Sequence, residues 1–269
     1  MTRVAIIGVT GRMGRAIVRA ASASTEITVV AGVASVSSAD LGKDVGDLAG
    51  TGACGVLVTS DLPAALGACD VAIDFSNGSV TAANVAACRA AGKPVVVGTT
   101  GFSSAAELEV AEAARHIPVL VAPNTSLGVT LLIEMVRAAA KTLPAEFDIE
   151  ISESHHRNKR DAPSGTALAL GRAAAEGRGQ TLEAVAAVSR HGEALRRPGE
   201  IGFAVIRGGD IVGEHTVLFA GQGEQVSLGH RATDRSIFAT GALRAAAWLV
   251  GKPPGRYAMR DVLGYKTGT

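Results

Sequence analysis

Charge of one sign, aromatic rings, cysteine and long hydrophobic runs are all scarce in this chain of 269 residues. Lys and Arg number 26 against 25 Asp and Glu, a formal net charge of +1, so no basic surface recommends nucleic acid or an anionic membrane as a partner. Any anion must therefore be held by a local cluster. No uninterrupted apolar segment approaches the roughly 20 residues that span a bilayer. The opening stretch MTRVAIIGVTGRMG breaks into glycines after a strand-length apolar run, which is unlike a signal peptide. The three cysteines, Cys54, Cys69 and Cys88, are odd in number, scattered and without CxxC or Cys/His spacing. They argue against a disulfide framework or a zinc site, no metal is expected, and all three read as small core residues in a reducing cytosol. Aromatic residues make up 3%, and the single tryptophan, Trp248, reads as core. What the chain does have is 47% hydrophobic and only 19% charged residues, enough to bury a sizeable core in one large domain or two ordinary ones.

Short Val/Ile-rich runs alternate with Ala-rich helical stretches through the first half, the pattern of βαβ units on a parallel sheet. RVAIIGV, ITVVAGV, VAIDFS, PVVVGTT and PVLVAPN are the strand candidates, and AAELEVAEAARHI is a typical helix candidate between them. After a further helix candidate, GVTLLIEMVRAAAKTL, the strand-like runs FDIEISESH, IGFAVIRGG, EHTVLFAG and EQVSLGHRA follow one another with turns between. The expected architecture is α/β: a Rossmann-type doubly wound parallel sheet over residues 1–126, completed by the C-terminal segment 240–269. Residues 127–239 are expected to form a second, α+β domain with a mixed or antiparallel sheet.

The first chemical signal is GVTGRMG, in which Gly8, Gly11 and Gly14 follow a strand and open a helix. Glycines allow a tight turn and close approach of a pyrophosphate, and the helix start offers N–H groups and the positive end of a dipole. The spacing is GxxGxxG rather than GxGxxG, and the acid that usually holds an adenosine ribose is replaced by Ala34 and Ser35. Without a carboxylate there, nothing repels a 2′-phosphate, and Ser35, Ser37 or Arg12 could donate to one. NADPH or NADH is the expected cofactor. Gly98, Thr99 and Thr100, and Ala122 to Thr125, end strands on the same edge and are candidates to flank the nicotinamide. Asp74 reads as a turn-ordering residue, and His215 as a strand residue.

The second signal is ESHHRNKRDAPSGT, residues 153–166, where His155, His156, Arg157, Lys159 and Arg160 gather positive charge just ahead of a helix starting at about Ser164 to Thr166. Cations beside helix-start N–H groups suit a small dicarboxylate.

With DFS, VVGTTGF, APNTSLGV, RGGDIVGEHTVLF and ALRAAAWLVGK, these blocks resemble the 4-hydroxy-tetrahydrodipicolinate reductases, long called dihydrodipicolinate reductases, nearly end to end. The resemblance implies a cytoplasmic homotetramer, assembled through the second domain, that reduces a cyclic dicarboxylate imine in diaminopimelate and lysine biosynthesis. It implies catalytic roles for His155 and Lys159, and substrate binding by His156, Gly165 and Thr166. It places the cofactor on Gly8, Val9, Thr10, Gly11, Arg12 and Met13, on Gly98, Thr99 and Thr100, and on Ala122, Pro123, Asn124 and Thr125. Either His155 or Lys159 could deliver the proton, and the family's usual determinant of cofactor choice is absent at Ala34 and Ser35. The competing readings are another two-domain dehydrogenase acting on amino acids and a non-catalytic dinucleotide sensor. Both would make the 153–166 block dispensable.

Overall fold

The structure is a computed structural model that describes residues 1–265. Two compact units divide the chain: residues 1–126 together with the segment from Ser236 onward, and residues 127–235.

In the first unit, β1 (Thr2–Ile7), β2 (Ile27–Val33), β3 (Val58–Thr59), β4 (Val71–Asp74), β5 (Val95–Val97) and β6 (Pro118–Val121) join the last strand of the chain, β12 (Gly255–Tyr257). All pair in parallel in the order β12-β6-β5-β4-β1-β2-β3. Strands buried on both faces must be apolar throughout, which is why VVV of β5 and VAI of β4 carry no alternation. Val4, Val71, Val95, Val96 and Val119 are fully buried. The order reverses between β1 and β4, leaving a crevice at the carboxyl ends of the strands. Within this unit the helix Ser236–Leu249 packs against the first helix, Arg12–Ser22, and against β4, β5 and β6.

Two expectations fail here. Cys69 and Cys88 are buried but Cys54 is exposed, because its loop is drawn outward onto Asp44, whose carboxylate accepts from the N–H groups of Cys54 and Gly55. Trp248 is half-buried rather than core: its ring meets Tyr257 edge-on at 5.4 Å and carries the Lys252 ammonium over its face at 4.4 Å.

The second unit is a mixed sheet of β7 (Asp148–His155), β8 (Ala186–Ala187), β9 (Ile201–Arg207), β10 (Gly213–Ala220) and β11 (Gln225–Ala232), ordered β11-β10-β7-β9-β8. β10 runs antiparallel to β7 and β11, whereas β9 is parallel to β7 and β8. The helices Leu127–Thr142 and Gly165–Gly177 close one face, packing Leu132, Val136, Leu170 and Ala174 on Ile149, Ile151, Val217 and Phe219. Among the described residues, no helix is long and apolar enough to cross a membrane.

Candidate active site

The first unit presents a cleft of about 600 Å³ at the strand-order reversal, entered by the loops that follow β1, β2, β3 and β4. Gly8, Thr10 and Gly11 form one wall, and Ala34 and Ser35 form the end beyond β2. Gly8 has φ +84°, a left-handed conformation that side chains disfavour, and a Cβ there would strike the Phe75 carbonyl at 2.7 Å. Gly14 admits no Cβ either, since one would lie 2.4 Å from the Gly8 carbonyl oxygen. The turn is thus locked against the first helix, whose N-terminal turn leaves backbone N–H groups without intrahelical acceptors. That is the cradle a pyrophosphate requires. The cleft lining contains no carboxylate, and Asp40, the nearest acid beyond β2, is engaged by Arg15 at 3.3 Å and Lys43 at 2.7 Å. A dinucleotide with or without a 2′-phosphate fits this chemistry.

The residues expected at the cofactor divide into two groups. Gly8, Thr10 and Gly11 line the cleft. Val9 does not line the cleft, its buried side chain turning inward near Gly32. Arg12 and Met13 form the first turn of the helix. Gly98, Thr99 and Thr100 follow β5, and Ala122, Pro123, Asn124 and Thr125 follow β6, and neither loop lines the cleft. Thr99 donates to the Asp74 carbonyl at 3.3 Å, and the Thr125 hydroxyl to the Phe238 carbonyl at 2.6 Å. Asp74 is fully buried and ties the loop after β4: it accepts from the Ser76 N–H at 2.9 Å and from the Asn84 amide at 3.1 Å. Ser76 and Asn77, in the SNGS loop that the family resemblance sets beside the nicotinamide ribose, do line the cleft, and so does Asn84, which no sequence motif marks.

In the second unit the 153–166 block is divided between elements. His155 is the last residue of β7, as the strand-like run FDIEISESH predicts, His156 and Lys159 belong to the segment that leaves it, and Ser164 caps the helix Gly165–Gly177, its hydroxyl accepting from the Ala167 N–H at 3.1 Å. Strand alternation explains the placement. Along β7, Ile149, Ile151, Glu153 and His155 share the buried face, so the core turns polar at its end. Cross-strand register sets Arg207 of β9 opposite His155 and His215 of β10 opposite Glu153. The Glu153 carboxylate, 1% exposed, accepts from His155 Nδ1 at 2.6 Å, from the Ser164 N–H at 3.0 Å and from both terminal nitrogens of Arg207 at 2.8 Å. Burial alone would raise the Glu153 pKa, but these donors outweigh it and the group is held below its ordinary value. His155 is shifted downward, chiefly by burial, against the opposing pull of Glu153. His215, whose Nε2 lies 3.0 Å from the Ser164 hydroxyl, is pushed down to about 4, again mainly by burial.

Nearer the surface, Lys159 Nζ reaches both oxygens of Asp161 at 2.9 Å, and this pairing holds the Asp161 carboxyl below its ordinary value. A lysine is thereby held on a carboxylate just ahead of the helix that starts at Gly165. Lys159, Gly165 and His155 are thus brought into one neighbourhood, with His156 and Thr166 half-buried beside them in sequence. Glu153, Arg207, Ser164 and His215 are functional candidates that sequence reading did not assign.

The sequence matches the family model described as dihydrodipicolinate reductase, N-terminus, over residues 2–125, and that described as dihydrodipicolinate reductase, C-terminus, over residues 128–263. It is 50% identical over 269 residues to the 4-hydroxy-tetrahydrodipicolinate reductase of Anaeromyxobacter dehalogenans, covering 100% of both chains. To that of Thiobacillus denitrificans it is 51% identical over 265 residues, 98% of this chain and 99% of the other. Its fold is similar to that of a dipicolinate-bound dihydrodipicolinate reductase from Paenisporosarcina sp. TG-14, with a TM-score of 0.77 at 24% identity, over 96% of this chain and 97% of that one.

Proposed function

Since the chain belongs to the dihydrodipicolinate reductase family and is an NAD(P)H-dependent oxidoreductase, we propose that the 153–166 segment is its catalytic and substrate-binding machinery. The reaction reduces 4-hydroxy-tetrahydrodipicolinate, or dihydrodipicolinate after loss of water, to tetrahydrodipicolinate, a step toward diaminopimelate and lysine. When bound, NADH or NADPH supplies the hydride to ring C4. The electron pair this displaces spreads over the ring nitrogen and the carbon beyond C4, where one proton completes the reduction. Lys159 provides a cation beside that developing charge and, with His155, a route for the proton. Gly165 and Thr166, at the start of their helix, and His156 hold a substrate carboxylate. Gly8 to Met13 hold the pyrophosphate, while the loops at Gly98 to Thr100 and Ala122 to Thr125 serve the nicotinamide end.

The observation that carries this reading is the pairing of Lys159 with the Asp161 carboxylate just ahead of the helix that starts at Gly165, because it displays inside the chain the kind of contact a substrate carboxylate needs. The segment is therefore equipped for an anionic ring, which neither an amino-acid dehydrogenase nor a dinucleotide sensor requires. Assembly as a homotetramer through the second unit and a cytoplasmic address belong to the same proposal. Exposed Val205 and Ile206 on β9, at 37% and 54%, support an apolar contact surface there. The test is a coupled assay in which a synthase generates the substrate from pyruvate and aspartate semialdehyde and cofactor oxidation is followed by absorbance. Oxidation that depends on the synthase product and on intact His155 and Lys159 is the expected result. Oxidation that survives loss of both side chains refutes the site assignment.

A further inference from the structure

We propose that Glu153 is a positioning residue for this reduction: from within the sheet it holds His155 with Nδ1 protonated, so that Nε2 is the nitrogen left for proton exchange with the ring. The inference rests on the reductase reading above and names the group that prepares its histidine.

Each oxygen of Glu153 faces two donors. Oε1 accepts from the Ser164 N–H and from Arg207 Nη2, and Oε2 accepts from His155 Nδ1 and from Arg207 Nη1. An ionised carboxylate can only accept, so the contact at 2.6 Å places the hydrogen on Nδ1. The opposite edge of the ring is kept open by glycine: a Cβ on Gly213 of β10 would lie 3.1 Å from His155 Nε2. The other charged or titratable groups facing His155 are Lys159 from the following segment, Arg207 from β9 and His215 from β10, whose ring lies edge-on at 5.1 Å. Lys159 and Arg207 are donors. His215 has its Nε2 occupied by Ser164, so Glu153 is the acceptor that fixes the tautomer.

The same donor pattern dictates what Glu153→Gln must do. A glutamine replaces one oxygen with an NH2. At the Oε1 position this group would confront two donors, Ser164 N–H and Arg207, whereas at the Oε2 position it confronts only Arg207 and can donate to His155. The second arrangement has fewer conflicts, and it requires Nδ1 to become the acceptor and the proton to move to Nε2. A counterion serving only to neutralise Arg207 would have no such effect on the histidine. A buried histidine set in the wrong tautomer loses its proton chemistry while the fold persists, as amide replacements in serine hydrolases illustrate.

The test uses the full-length protein with 15N-labelled histidine. Long-range proton–nitrogen spectra of the unaltered protein should show neutral His155 protonated at Nδ1, and those of Glu153→Gln should show it protonated at Nε2. In the coupled assay Glu153→Gln should lose roughly 10²-fold in kcat with KM within about threefold. The pH limb belonging to His155 should move to lower pH, because removing the Glu153 charge withdraws the interaction that raises that pKa. An Nε2–H tautomer in the unaltered protein overturns the proposal without recourse to any variant. So does a folded Glu153→Gln protein that keeps the Nδ1–H tautomer, or one that flips it with kcat intact. Gly213→Ala provides a second route should the glutamine variant not fold: its methyl crowds Nε2 while Nδ1 stays on Glu153. A kcat loss of roughly tenfold or more with an unchanged tautomer is expected, and an undiminished kcat overturns the assignment of Nε2. If the spectra behave as stated but even the unaltered protein oxidises no cofactor with the synthase product, the reductase reading falls and the control of the tautomer by Glu153 stands.

Discussion

Replacing Gly14 with alanine tests the link between fold and cofactor at one methyl group. Built onto the backbone, that methyl would lie 2.4 Å from the Gly8 carbonyl oxygen and 2.5 Å from Val9 Cα, about 1 Å inside ordinary contact, and both obstacles are main chain. They cannot swing aside as a side chain would, so the turn after β1 and the helix Arg12–Ser22 must separate by about that distance. Overpacking of this kind costs about 1–3 kcal/mol. Opposing it is the gain of about 0.5–1 kcal/mol when alanine replaces glycine within a helix. The steric cost should win, lowering the melting temperature by several degrees, at about 2–4 °C per kcal/mol for a chain of this size class. Gly67, in the helix Leu62–Ala68, has open space around its Cβ position, so Gly67→Ala isolates the helical gain and should raise the melting temperature slightly. Displacing the turn by 1 Å also misaligns the N–H groups offered to the pyrophosphate. Losing one charge-assisted hydrogen bond, about 1.5–3 kcal/mol, predicts cofactor affinity weakened by roughly 10- to 150-fold in isothermal titration. A Gly14→Ala protein that melts with Gly67→Ala and binds cofactor normally would refute both the packing argument and the location of the cradle.

Other predictions concern the two ends of the chemistry and acid stability. Ser35→Asp, which sets a carboxylate in the cleft lining, should weaken NADPH relative to NADH by roughly tenfold or more in a titration of both cofactors, and equal weakening would exclude that wall as the ribose end. Lys159→Ala should reduce kcat by roughly 10²-fold in the coupled assay, and near-normal turnover would remove it from the proton and charge roles. Glu153 is held below its ordinary pKa when folded, so its stabilising contribution is complete above the unfolded value and is lost as pH falls through the folded one. Thermal melts between neutral and acid pH should accordingly fall more steeply for the native protein than for Glu153→Gln, and parallel curves would show that Glu153 carries no such linkage.

The parallel sheet was legible because its long strands are uniform apolar runs that end in glycine or polar turns, as ITVVAGV and PVVVGTT do. β3 and β12 were not, since two or three residues at the sheet edges carry no periodicity to read. Gly8, Gly11 and Gly14 stood out through spacing alone, whereas Asn84 enters the same cleft from the helix Thr81–Ala90 and is brought there by its bond to Asp74. In the second unit, DIEISESH contained a usable signal. Its alternation carries the buried face from Ile149 and Ile151 onto Glu153 and His155, although a glutamate between serines looks like a solvent-facing residue. Arg207 had no local mark, because parallel pairing with a strand more than 40 residues away determines its partner. Cys54 misled for a related reason: composition favours burial of a thiol, but Asp44 claims the backbone of its loop.

The lone indole, stacked edge-on with Tyr257 beneath Lys252, makes the two units spectroscopically unequal. Trp248 and both tyrosines, Tyr257 and Tyr265, belong to the segment after Ser236, whereas the second unit has only phenylalanines. Intrinsic fluorescence therefore watches the dinucleotide unit alone, while backbone circular dichroism averages both. A fluorescence transition that leads or lags the dichroism transition would date the loss of one unit relative to the other, with no label attached to either.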